Sequence, residues 1–126
     1  SAVQMGTRFL MSEESSAHEN YKNLLKNIGP GDTKLVMKKH VPVRLVKNKF
    51  YEQINQLEMN GATSDQLQNL LGKGRAKRGM LEGQLDEGEL EAGQISGHLK
   101  EISPVKIIIQ QISDEFDLAY NCLKTS

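Results

Sequence analysis

Apolar side chains recur along this chain with a helical period in three places, and Gly, Pro and Asn punctuate the intervals. Tyr21, Leu24, Leu25 and Ile28 form one stripe. Phe50, Ile54 and Leu57 form a second, and Val105, Ile108, Ile109, Ile112, Phe116, Ala119 and Leu123 a third. The first stripe predicts a helix beginning near Ser16, because Ser16 and Glu19 have the Ser-x-x-Glu spacing of a capping box. It ends at Gly29-Pro30-Gly31-Asp32, where Pro30 cannot continue the hydrogen-bond ladder. The second predicts a helix from Asn48 to Met59, stopped by Asn60-Gly61. Thr63 and Gln66 repeat the capping-box spacing and open a shorter helix through Leu67, Leu70 and Leu71. The third predicts a helix of about five turns, with Ser103 as N-cap and Pro104 at its first position. Its apolar face should pack against another surface, with Cys122 near its end as a small, packed, inert thiol.

Between the helices the pattern is extended. Ala2-Val3-Gln4-Met5-Gly6 predicts a short strand running into a Gly6-Thr7 turn, and Thr33 to Lys38 predicts a second extended segment. Val41 to Val46 is apolar on alternate sides of Arg44, but Pro42 demotes it to an irregular or edge segment. Gly72, Gly74 and Gly79 break any long helix there. Their spacing fits neither Gly-x-Gly-x-x-Gly nor a P-loop, so a nucleotide loop is rejected.

Composition narrows the class. Only 37% of the 126 residues are apolar and 5% aromatic, a thin core for a free-standing domain. Sixteen basic and sixteen acidic residues cancel, so no global field argues for nucleic acid or an anionic membrane. The charges are unevenly spread. Lys34, Lys38, Lys39, Arg44, Lys47 and Lys49 crowd one stretch, Lys73, Arg75, Lys77 and Arg78 a second, and Glu82, Asp86, Glu87, Glu89 and Glu91 follow. These read as solvated faces that neutralise one another. With one cysteine there is no internal disulfide and no Cys-based zinc site. No run approaches the roughly 18 apolar residues of a membrane span. A cytoplasmic protein is the expectation, and no repeat or linker marks a domain boundary.

Gly6 can let a backbone come close to a ligand, and Thr7 offers an N–H and a hydroxyl where a short helix could begin. That arrangement suits a phosphate. The wider series is Val3-Gln4-Met5-Gly6-Thr7-Arg8-Phe9, then Glu13-Glu14, Ala17-His18, Tyr21-Lys22, Pro42-Val43-Arg44, Lys47-Asn48 and Gly93-Gln94-Ile95-Ser96-Gly97. It resembles the C-terminal part of nitronate monooxygenases, formerly called 2-nitropropane dioxygenases. The related FMN-dependent enoyl-acyl-carrier-protein reductases share much of it.

The resemblance implies an FMN enzyme on a TIM (β/α)8 barrel. Such a barrel needs roughly 250 residues, so this chain would be at most its final third. Residues 1–14 would be the eighth strand and the FMN-phosphate turn, and residues 15–126 a mostly helical C-terminal extension. As isolated, the chain should be mostly α with one or two short strands. Gln4, Met5, Gly6 and Thr7 are the implied FMN-binding residues, with Gly6 and Thr7 on the phosphate. The family's histidine base lies upstream, so no catalytic residue is implied here. His18, His40 and His98 read as surface or packing residues and no metal site is expected. Gln94 sits in a segment implied to pack near the substrate side of the flavin.

The implied activity is oxidation of alkyl nitronates with O2. The alternative is reduction of an enoyl thioester by a nicotinamide. A reading from another class is a non-enzymatic helical module that uses the basic stretch Lys34 to Lys49 as its contact surface. Alone, the piece should self-associate or need the rest of the barrel.

Overall fold

The computed structural model describes residues 2–124. Ser1, Thr125 and Ser126, at the outer ends of the expected 1–14 and 15–126 segments, lie outside the described residues. The fold is helix-rich with two strands. Its elements are α1 (Thr7–Leu10), α2 (Glu19–Asn27), β1 (Thr33–Val36), β2 (Val43–Val46), α3 (Lys49–Met59), α4 (Ser64–Leu71) and α5 (Val105–Lys124). A π-helical turn spans Lys77–Leu81 and a 3-10 turn spans Gln94–His98.

The capping box of α4 acts as the sequence dictates, and α3 has an N-cap the sequence reading did not single out. Asn48 Oδ1 accepts from Tyr51 N, and Thr63 and Gln66 form the reciprocal capping box. α2 differs. It starts at Glu19 with His18 as N-cap, whose Nδ1 accepts from Asn20 N while its own N–H bonds the Met80 carbonyl. The Ser16 box loses because a tertiary carbonyl fixes His18 in the cap geometry. α5 differs too: Glu14 takes the Val105 N–H with both carboxylate oxygens, and the Ser103 backbone bonds Met11 and Glu13 in a bridge opposite Ser12 instead of capping.

β1 and β2 pair antiparallel, Thr33 opposite Val46 and Val36 opposite Val43. Pro42 stands just before β2, outside the ladder, which reconciles it with an edge strand. Residues 2–6 form no strand; they are exposed and carry no regular structure. A strand needs a hydrogen-bonded neighbour, and none of the described residues offers one.

Two clusters make the core. Met11, Tyr21, Leu25, Ile28, Val46, Leu90 and Ala92 join α1, α2 and the β2 edge, while Val36, Met37, Leu45, Phe50, Tyr51, Ile54 and Leu67 join the hairpin to α3 and α4. α5 stands apart from both. Along its 20 residues only Ile108 is buried, while Ile109, Phe116 and Leu123 of the same stripe are exposed. The apolar surface expected to cover this helix is not supplied by the described residues. Cys122, expected to be buried, is exposed as well.

Candidate functional site

The segment 3–8, the 3-10 turn and the inner face of α5 enclose an open groove of about 1290 Å³. Gln4, Met5, Gly6 and Thr7 all line it, so the four residues singled out from the sequence share one surface. Gly93, Ile95 and His98 line it too, with Ile109, Ile112 and Phe116 of α5 as an apolar wall. Gln94 is exposed at the start of the 3-10 turn, and the groove is lined by its neighbours Gly93 and Ile95 instead.

Gly6 is the informative position. Its φ of −97° is open to any residue, and a Cβ there would meet nothing within 4 Å. Nothing within the described fold packs against this point on the groove side. Thr7, next in line, accepts the Gly93 N–H at its Oγ1 at 2.9 Å. Its own proton therefore remains available to an acceptor. Gly6 is the N-cap of the single turn α1 and Thr7 its first residue; Phe9 and Leu10 N–H bond the Gly6 carbonyl, and the N–H groups of Thr7 and Arg8 have no intrahelical carbonyl to bond. Neutral donors over open space fit a phosphate ester.

The basic groups at the rim are tied elsewhere. Arg8 donates to Gln111 Oε1 and Lys100 Nζ to the Ile28 carbonyl, and Glu101 and Glu115 also line the groove. The turn is braced from behind by Lys22, which is 1% exposed. Its Nζ donates to the Ser12 carbonyl at 3.2 Å, more weakly to that of Glu13 at 3.5 Å, and pairs with Glu19 at 2.8 Å. Lys22, Glu14, Gly93 and Ser96 support the site, and sequence reasoning missed these roles. The Gly93 to Gly97 motif was a signal for two of them, but nothing in sequence spacing announces which carbonyl a lysine will reach.

The histidines play structural parts. His18 caps α2, His40 Nδ1 bonds Ser64 Oγ, and His98 is exposed at the groove. Among the described residues, no three of His, Cys, Asp and Glu gather as metal ligands. Of the acids read as solvated, Glu87 pairs with Arg75 at 3.6 Å. Glu89 departs from that reading. It is half-buried, and burial, then the charge of Glu91, raises its carboxyl above the usual range against a smaller pull from Arg75. In the basic stretch the five lysines are exposed, while Arg44 is half-buried and donates to Thr33.

Residues 1–115 match the family model described as nitronate monooxygenase. The chain belongs to the nitronate monooxygenase family. A Bacillus subtilis (strain 168) protein named "Probable nitronate monooxygenase" is 32% identical over 114 residues, which is 90% of this chain and 33% of that protein. The chain thus spans about a third of the length of the curated relative it matches. Among solved structures, FabK from Thermotoga maritima superposes with a TM-score of 0.87 at 35% identity, over 98% of this chain and 39% of FabK. A point variant of that FabK gives a TM-score of 0.78 over the same share of this chain and 36% of its own. The likeness therefore reaches FabK as well. No helix among the described residues is long and apolar enough to cross a membrane.

Proposed function

We propose that this chain is the C-terminal third of an FMN-dependent oxidoreductase and supplies its cofactor-phosphate end. Residues 2–14 carry the phosphate turn, and the remainder is a helical extension that holds the turn in place. The observation that carries this reading is Gly6, a glycine with no steric reason of its own, facing the groove beside the Thr7 hydroxyl. Gly6 lets the phosphate approach the backbone, and Thr7 donates its hydroxyl proton to a phosphate oxygen. Gln4 and Met5 line the approach. When bound, FMN accepts electrons from the substrate and passes them on.

Oxidation of an alkyl nitronate by O2 is the reaction we favour, in keeping with the family that residues 1–115 match. The superposition on FabK favours a second reading, reduction of an enoyl thioester with a nicotinamide as hydride source. The proton-abstracting base lies in a part of the enzyme outside this chain in either case. Purified full-length protein should carry flavin absorbance and release FMN on denaturation. Oxygen consumption with a nitronate, set against nicotinamide oxidation with a crotonyl thioester, separates the two substrates. A full-length protein with no flavin would remove the proposal. We place such an enzyme in the cytoplasm.

A further inference from the structure

Thr7 is held from a distant part of the chain. Gly93, 86 residues later, gives its N–H to Thr7 Oγ1 at 2.9 Å. Gly93 is itself fixed on its other side: Ser96, fully buried, donates its hydroxyl to the Gly93 carbonyl at 2.8 Å and its N–H to the same oxygen at 3.1 Å. A hydroxyl that accepts a bond from one side turns its proton away from that donor. The fit is close as well, since a Cβ at Gly93 would stand 3.0 Å from Thr7 Oγ1. Glycine at 93 keeps that hydroxyl in place, and a larger residue would push it.

We propose that Gly93 and Ser96 are positioning residues for the cofactor phosphate. They set the Thr7 hydroxyl so that its proton faces the phosphate, and neither touches the phosphate itself. The inference rests on the reading of Gly6 and Thr7 as the phosphate turn. It adds that the 3-10 turn beside Thr7 tunes the affinity for the phosphorylated flavin through one buried serine.

The test uses the full-length protein and two probes, FMN and riboflavin, which differ only in the phosphate. Dissociation constants for both are measured by flavin fluorescence in the wild type and in Thr7→Val, Ser96→Ala, Gly93→Ala and the Thr7→Val/Ser96→Ala double variant. Thr7→Val should cut the preference for FMN about tenfold, the worth of one hydrogen bond to a charged oxygen. Ser96→Ala and Gly93→Ala should cut it by a smaller factor, leave riboflavin affinity unchanged and shift the phosphorus resonance of bound FMN. In the Thr7→Val background, Ser96→Ala should remove no further preference, because its effect passes through Thr7. Equal losses for FMN and riboflavin, or a further loss of preference in the double variant, would overturn the proposal. Should Ser96→Ala not fold, Gly93→Ala decides by the same criteria. A wild type that binds riboflavin as tightly as FMN overturns the phosphate reading itself, and that outcome is distinct from the others.

Discussion

Lys22 Nζ lies 3.2 Å from the Ser12 carbonyl, in a setting where the lysine side chain is almost wholly buried. The bond fastens α2 to the exit of the turn that begins at Gly6. Its ammonium sees two carbonyls and one carboxylate, so it is paired rather than stranded.

Replacing Lys22 by Met keeps the volume and removes the charge, leaving the buried Ser12 carbonyl with only the Ser15 N–H at 3.3 Å. The full-length protein should lose about 2 kcal/mol of stability by denaturant unfolding, from the lost hydrogen bond of a charged donor. A loss under about 0.5 kcal/mol would mean that water or a neighbour replaces the ammonium.

Gly6 and Gly79 should respond in opposite ways to alanine. At Gly79 a Cβ would fall 2.7 Å from Leu90 Cδ2 and 2.9 Å from Gly88 Cα, so Gly79→Ala should cost about 2 kcal/mol through overpacking. At Gly6 the Cβ meets only open space, so Gly6→Ala should leave the melting temperature of the flavin-free protein unchanged and lower FMN occupancy. Unaltered FMN stoichiometry in Gly6→Ala, and still more with a bulkier residue there, would count against a phosphate at this turn.

The raised carboxyl of Glu89 makes stability depend on pH with a definite sign. The folded chain keeps a proton at pH values where the unfolded chain, with a carboxyl near 4.5, has released it. The contribution is therefore fully present below that value and is lost as pH rises through the higher folded value. Glu89→Gln should flatten the decline in melting temperature above pH 4.5 and raise it near neutrality. Parallel profiles for the two proteins would show that Glu89 is not the group responsible.

The uncovered stripe of α5 predicts the behaviour of the isolated 126-residue chain. Phe116 is 66% and Leu123 78% exposed, and such a face seeks a partner surface. Sedimentation velocity should show concentration-dependent association. Phe116→Lys with Leu123→Lys should reduce it. A monomer at all concentrations would mean that α5 finds its cover within its own chain.

The helical stripes, the capping box of α4, the extended segments on either side of the 37–42 turn and the Gly6-Thr7 motif were all determined by the sequence alone, because each depends on residues within one or two turns of each other. What lay beyond that range was decided by tertiary structure. His18 displaced Ser16 as a cap once Met80 supplied a carbonyl. Glu14 displaced Ser103 at the head of α5 because the chain folds back to bring residues 14 and 105 together. Residues 2–6 have a strand's sequence and lack a strand's neighbour, since pairing is a property of two segments and not of one. Thr7 was legible as a hydroxyl beside a glycine; that its oxygen is already taken by Gly93, and its proton therefore aimed, is information that only two distant segments in contact can carry.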